Sequence, residues 1–302
     1  MTNVSYPFVS VIIPVYNNSE KLRKCLTALE NQTYPKELFE VVVVDNCSTE
    51  NIKDVVSNFS RIYLTYEPYS TLYAARNKGI VSSKGEVLAF TDSDCIPAPD
   101  WMEKGVNAIM SVPDCGLIAG RIEIYFKNPK RPTAAELFEK VTMRQDVYVK
   151  RWRFGATANV FTLRNVVNKV GLFDGSLKSG GDVEWSRRVV SAGYKIVYDD
   201  NVCILHPARY SLSEIYKKQT MIIGGFYDMD SKKGYPLMLF ISHLVGTWNW
   251  MQPSYFISVC FGKDLSGCMQ RVKVVMVMLF VKCVQTMERI RLRLGGKSQR
   301  GI

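Results

Sequence analysis

An α/β fold with a central, mostly parallel sheet is predicted by three observations in the first hundred residues. β-branched runs alternate at short intervals with segments of helical spacing. One run, Val41 to Val44, is four consecutive valines, as expected of a strand buried on both faces. Each run ends in a polar or proline-bearing loop, which matches strand-helix-strand units with helices on both faces of a sheet.

The elements follow in order. Phe8 to Val15 is a β-branched run broken by Pro14, predicting a strand and then a loop. Glu20 to Gln32 carries Leu22, Cys25, Leu26 and Leu29 at helical spacing. After the four valines come the polar loop Asp45 to Thr49, a helix over Ile52 to Phe59 and a short strand over Ile62 to Thr65. Ser70 and Thr71 precede a helix over Leu72 to Val81. Val87 to Phe90 then reads as a buried strand, with Pro97 and Pro99 stopping its continuation. Further on, the pattern predicts a helix over Trp101 to Met110, a strand over Leu117 to Phe126, a proline-bearing loop over Lys127 to Thr133 and one helix over Ala134 to Tyr148. Phe154 to Asn159 is a loop of small residues. A helix over Asp182 to Ala192 is closed by Gly193 as C-cap. Strands follow over Lys195 to Tyr198 and Val202 to Leu205, the second ended by His206 and Pro207.

Three regions are expected: residues 1–115 as a nucleotide-binding half, 116–210 as the other half of the same domain, and 211–302 as a helical, apolar and basic extension. The chain contains neither G-x-G-x-x-G nor G-x-x-x-x-G-K-[ST], so a dinucleotide fingerprint and a P-loop are both unsupported.

Composition narrows the classes further. With 302 residues, 47% of them hydrophobic, the chain can bury a full core. Its eight cysteines include no C-x-x-C pair, so neither a zinc site nor a disulfide framework is indicated, and reduced thiols fit a cytosolic compartment. No basic segment followed by an apolar one opens the sequence, so no secretory signal is expected. The net charge is +11, and Arg271 to Ile302 carries eight Lys/Arg against Glu288 alone, hence +7 of it. Such a tail suggests an anionic partner. It lacks the interleaved aromatics that stack bases. The apolar stretches Pro236 to Gly262 and Val272 to Val284 precede or overlap it. Both are interrupted by polar residues and fall short of a spanning helix, so an anionic membrane surface is the expected partner and nucleic acid is not. A helical hairpin packed on the domain is the alternative.

Asp92 and Asp94 end the strand over Val87 to Phe90. Two hard oxygen donors at the carboxyl end of a strand suit Mg²⁺ or Mn²⁺ held against a phosphate. A solvated turn is the plain alternative.

Five motifs stand in order: Val9-Ser-Val-Ile-Ile-Pro-Val-Tyr-Asn17, Val41-Val-Val-Val-Asp-Asn-Cys-Ser-Thr49, Ala74-Ala-Arg-Asn-Lys-Gly79, Asp92-Ser-Asp94, and Gly181-Asp-Val-Glu184 with Arg187. Together they resemble the family 2 glycosyltransferases of the GT-A fold, over roughly Pro7 to His206. The resemblance implies an inverting enzyme that takes a sugar from a nucleotide-diphosphate donor of UDP, GDP or dTDP type. It implies Mn²⁺ or Mg²⁺ held by Asp94 and His206, with Asp92 on the ribose side or reaching the metal through water. It places Pro14, Tyr16, Asp45 and Arg76 around the nucleotide, and assigns Asp182 as the base that deprotonates the acceptor. Glu184 and Asn159 are expected near the acceptor or donor sugar, with Arg187 or Arg188 pairing a carboxylate or phosphate. By analogy, membrane seating points to a lipid-linked or saccharide acceptor in surface polysaccharide or glycolipid synthesis, at the inner face of the cell membrane.

Two positions depart from the family pattern. Asn46 replaces the second residue of Asp-Asp-Gly-Ser, and Gly181 replaces the glutamate that leads Glu-Asp-x-Asp/Glu. They leave two other readings open: a degenerate sugar-nucleotide-binding or membrane scaffold protein, and a nucleotidyltransferase. The latter is disfavoured because Val9 to Tyr16 has no glycine-rich basic loop.

Overall fold

The computed structural model describes residues 6–231, 237–249, 262 and 264–298. Part of the apolar stretch Pro236 to Gly262, including Trp250, Tyr255, Phe256 and Phe261, lies outside them. Two compact units divide the chain. One takes in the residues through Glu123 together with Arg144–Ser176 and Gly181–His206; the other takes in Ile124–Met143, Leu177–Gly180 and the residues from Pro207 onward.

The first unit is built on an eight-stranded sheet. Its strands are β1 (Val9–Val15), β2 (Phe39–Asp45), β3 (Ile62–Tyr66), β4 (Val87–Thr91), β5 (Ile96–Pro97), β6 (Cys115–Tyr125), β7 (Asn159–Leu163) and β8 (Lys195–Pro207), in the order β3-β2-β1-β4-β7-β6-β8-β5. β3, β2, β1 and β4 run parallel, with Val11 opposite both Val41 and Ala89. β7 is antiparallel to β4 and to β6, and β5 is antiparallel to β8. The valines of β2 and the whole of β1 and β4 are buried, as a parallel sheet covered on both faces requires.

Helices α1 (Ser19–Glu30), α2 (Ile52–Val56), α3 (Leu72–Ser82) and α4 (Trp101–Ser111) link the parallel strands or follow them. α1 buries Leu22, Cys25, Leu26 and Leu29, the four residues whose spacing marks it. Each fully buried leucine contributes roughly 1.5–3 kcal/mol. α3 opens on Thr71, whose hydroxyl accepts from the Ala74 N–H, satisfying an orphan donor of its first turn. α3 lies close on the sheet through Gly79, where a Cβ would fall 2.4 Å from Ile12 Cγ2. The glycine that ends Ala74-Ala-Arg-Asn-Lys-Gly79 is therefore a packing requirement. α6 (Gln145–Trp152), α7 (Arg164–Val170) and α8 (Gly181–Ser191) complete this unit, α8 being closed by Gly193 at φ +90°.

Four expectations need correction. Pro14 does not end its strand: β4 pairs with β1 only as far as Ile12, so the missing Pro14 N–H breaks no bond on that side. Residues after Asn159 form β7, a strand absent from the sequence reading. Lys195 to Pro207 is one continuous strand rather than two. The predicted helix over 134–148 is two helices, because the backbone leaves the helical region at Met143 and Arg144. α5 (Ala134–Thr142) and α6 bury different partners. Leu137 and Val141 pack with Leu265 and Val274, whereas Gln145 bonds the main chain of Ala156 and Asn159. A single regular helix would hold both faces in one fixed phase, so tertiary demand overrides local propensity here.

The second unit is helical: α5, α9 (Leu212–Ser231), α10 (Leu237–Asn249) and α11 (Cys268–Arg293). Ala135 and Phe138 pack with Ile215, Val277 and Val281. At its centre the Glu139 carboxylate, 1% exposed, accepts from Lys218 at 2.7 Å and Arg209 at 3.0 Å. Burial pushes the Glu139 pKa up, but the two cations outweigh it and hold the group at about 2. No helix among the described residues is long and apolar enough to cross a membrane.

Candidate active site

The carboxyl ends of three parallel strands and of β8 carry the candidate residues. β1 delivers Tyr16, β2 delivers Asp45, β4 delivers Asp92 and Asp94, and β8 delivers His206. All belong to the first unit, as do Tyr73 and Arg76 on α3 and Asp182 on the first turn of α8.

The loops after β1 and β2 are bonded to each other. Asn17 Oδ1 accepts from the Thr49 N–H at 2.7 Å and the Glu50 N–H at 3.2 Å, and the Asn17 N–H donates to Ser48 Oγ. Asp45, half-buried, accepts from the Ser48 N–H at 2.9 Å. Asn46 is 3% exposed and its amide donates to the Glu67 and Tyr69 carbonyls, each at 3.0 Å. A carboxylate there would set its oxygens against two carbonyl oxygens, so this departure from the family pattern is explained by local bonding. Tyr16 is half-buried and Pro14 lies within β1 beside Val44, so Pro14 shapes the loop from within the sheet.

Beyond β4, Asp92, Asp94, Cys95 and His206 bring one ligand atom each to within 4.8 Å of one another. His206 Nε2 lies 3.9 Å from Asp94 Oδ1, and Lys21 Nζ lies 3.7 Å from Asp94 Oδ2. Both aspartates keep about a quarter of their side-chain surface open, Asp92 29% and Asp94 24%. The carboxylate oxygens suit a hard divalent cation such as Mn²⁺ or Mg²⁺, with His206 beside them as a nitrogen donor, and two carboxylates drawn together are relieved by such a charge. Burial and the two aspartates push the Cys95 thiol well up, so it packs beneath the site as a neutral group.

Arg76 takes a place different from the one expected. Its side chain is 1% exposed and Nη2 donates to Asp92 Oδ1 at 2.7 Å, so it holds Asp92 from below and offers no surface to a nucleotide. Its Nε and Nη1 are buried without a hydrogen-bond acceptor. Its charge also acts on Asp182.

Asp182 Oδ1 accepts from the Val183 N–H at 2.9 Å and from the Tyr73 hydroxyl at 3.3 Å. Burial raises its pKa above the usual 3.8, and Arg76, the Val183 N–H and Tyr73 oppose the rise without cancelling it. A carboxylate made more basic in this way, with part of its surface open, is fitted to accept a proton.

Two other candidates are engaged in structure. Asn159 is fully buried: its amide donates to the Arg121 and Val202 carbonyls and its oxygen accepts from Trp101 Nε1, so it knits strands together and meets no sugar. Glu184 forms a two-bond pair with Arg188, which also reaches the Val170 and Leu172 carbonyls, so it clips α8 to the preceding loop. Sequence reasoning missed Tyr73 and Lys21. Both lie on ordinary helical segments, and only the fold brings them to the carboxylates.

The sequence matches the Glycosyl transferase family 2 profile over residues 10–171. It is 43% identical over 219 residues to Glycosyltransferase AglE of Haloferax volcanii, covering 70% of this chain and 71% of that one. It is 25% identical over 243 residues to a dolichyl N-acetyl-α-D-glucosaminyl phosphate 3-β-D-2,3-diacetamido-2,3-dideoxy-β-D-glucuronosyltransferase of Methanococcus voltae, covering 76% and 75%. The fold matches that of the mannosyltransferase PcManGT from Pyrobaculum calidifontis, solved in complex with GDP-Man and Mn²⁺, with a TM-score of 0.63 at 18% identity over 94% of this chain and 88% of that one. The motifs, the sheet order and these likenesses agree: the chain belongs to glycosyl transferase family 2 and is a glycosyltransferase of the GT-A fold.

Proposed function

We propose that this enzyme moves a sugar from a nucleoside-diphosphate donor to an acceptor hydroxyl with inversion, using a divalent cation and Asp182 as base. The observation that carries this reading is the pair of carboxylate centres joined through Arg76: the Asp92, Asp94 and His206 cluster on one side, and Asp182 on the other. Asp94 and His206 would hold the cation, with Asp92 beside them. When bound, such a cation neutralises charge on the departing diphosphate. Lys21 adds a positive charge on the same side. Tyr16 offers a ring face and Asp45 an acceptor to the nucleotide. With Oδ1 of Asp182 held by two donors, Oδ2 is the oxygen left to take the acceptor's proton as the anomeric bond to phosphate breaks. The bound donor and metal of the Pyrobaculum enzyme support this class of donor and cation. The departure at Asn46 has a local structural reason and so gives no support to a degenerate protein.

The test is thermal unfolding with UDP-, GDP- and dTDP-sugars, with and without Mn²⁺, followed by NMR of the product anomer. Stabilisation by one nucleotide class that depends on Mn²⁺ is expected, and a stabiliser at 100 times its Kd adds about 2.7 kcal/mol. A product that retains the donor's anomeric configuration would refute the inverting mechanism.

The acceptor side of the proposal is a lipid-linked sugar at a membrane's cytoplasmic face. The dolichyl-linked sugar phosphate in the name of the Methanococcus relative supports it. So does α11, where Met269, Val272, Met276, Leu279, Met287 and Ile290 recur at helical steps, all exposed, on the helix that carries much of the basic tail. An apolar stripe beside lysines and arginines fits an anionic bilayer interface. The full chain should co-sediment with vesicles containing phosphatidylglycerol at low salt and much less with phosphatidylcholine alone. Met276→Glu with Leu279→Glu should weaken that binding by about tenfold or more. Retention in the supernatant under all these conditions, or a concentration-dependent dimer abolished by the same substitutions, would sink the membrane reading.

A further inference from the structure

Gly181 stands where the family motif has a glutamate, and the space a side chain would need is already filled. A Cβ on Gly181 would lie 2.8 Å from three ring carbons of Tyr73. That ring is 4% exposed and its hydroxyl reaches Asp182 Oδ1, the neighbouring residue's carboxylate. We propose that Tyr73 is the positioning residue for Asp182: admitted by Gly181, its hydroxyl holds Oδ1 and leaves Oδ2 to receive the acceptor's proton. The inference rests on the reading of Asp182 as the base.

The ring is held firmly enough for the task. It packs against Phe173, with centroids 5.9 Å apart, and Phe173 packs in turn on Trp185 of α8 at 5.2 Å. Asn77, four residues beyond Tyr73 on α3, grips the Phe173 main chain, accepting from its N–H at 3.0 Å and donating to its carbonyl at 2.8 Å. The Arg76 guanidinium lies 5.6 Å from the Tyr73 centroid. α3 and the start of α8 are thus tied through aromatic contact and a two-way amide bond. Burial and the Asp182 charge both push the Tyr73 pKa up, so the hydroxyl stays protonated and available as a donor. The polar groups that act on Asp182 are therefore Tyr73 and Arg76 from α3 and the Val183 N–H of its own helix, with Asp92 paired to Arg76 on its other side.

Tyr73→Phe keeps the ring and removes the donor. In the full-length chain, ¹³C-carboxyl NMR titration, with Asp182→Asn assigning the resonance, reads the Asp182 pKa directly. Loss of a bond to the charged form must raise that pKa further, moving the acid limb of the kcat/KM profile to higher pH. kcat for the nucleotide sugar that stabilises the protein should fall about 10- to 100-fold, the worth of a hydrogen bond to a charged group, with donor KM unchanged. Gly181→Ala should lower kcat in the wild type by displacing the ring, and should cost nothing further in a Tyr73→Ala background, as coupled neighbours behave. An unshifted titration with unchanged kcat in Tyr73→Phe would overturn the inference. Full turnover in Asp182→Asn would instead remove the base itself, so the two failures are told apart.

Discussion

Asp182→Asn is expected to lose roughly 10²- to 10⁴-fold in turnover while binding the donor nucleotide as the wild type does. The amide is nearly isosteric and can still accept from the Val183 N–H and the Tyr73 hydroxyl, so the fold around α8 should survive. What disappears is an oxygen able to take a proton. The sign of the pH dependence follows from the same environment. The base works deprotonated, and burial raises its pKa above 3.8, so the rate should rise with pH through that raised value and fall as pH drops below it. An acid limb at the ordinary aspartate position, or wild-type turnover in Asp182→Asn, would contradict the assignment. Nucleoside diphosphate release in the presence of acceptor is the measurement.

The second large effect concerns the proposed cation. Chelation should abolish transfer and Mn²⁺ should restore it. Asp94→Asn should raise the Mn²⁺ concentration needed for half-maximal rate by at least the 10- to 100-fold seen when groups supporting a metal ligand are lost. Asp94 is singled out because His206 and Lys21 converge on its two oxygens, whereas Asp92 is partly neutralised by Arg76. Asp92→Asn should therefore act differently, freeing a buried guanidinium that already has two unpaired donors and costing stability as well as rate. Calorimetric Mn²⁺ titration separates the two variants. An Asp94→Asn protein with wild-type metal affinity would remove the site.

Much of this was readable from local pattern. The four valines of β2, set between polar loops, favour a strand buried on both faces, and Thr71 is a residue type that caps helix starts. Asp92 and Asp94 advertise themselves because two carboxylates so close are costly without a partner. What local pattern could not give is anything that depends on a distant neighbour. Arg76 looks like any charge on a helix face until Asp92 is folded over it. Asn159 looks like a loop residue until two other strands and Trp101 converge on its amide. The break at Met143 has no proline or glycine to mark it, because the cause lies in what the two halves bury. Tyr73 is silent for the same reason: its partner sits 109 positions away.

The cross-linking of the loops after β1 and β2 bears on the proposed donor site. Asn17 accepts from two main-chain donors of the opposite loop while its own N–H is claimed by Ser48, and the Asn46 N–H donates back to the Val15 carbonyl at 2.9 Å. Of these bonds, only those made by the Asn17 amide oxygen and the Ser48 hydroxyl depend on residue identity; the other joins main chain to main chain. If these loops hold the base as proposed, replacing Asn17 alone would loosen both of them at once, so the two sides of that site answer to one amide.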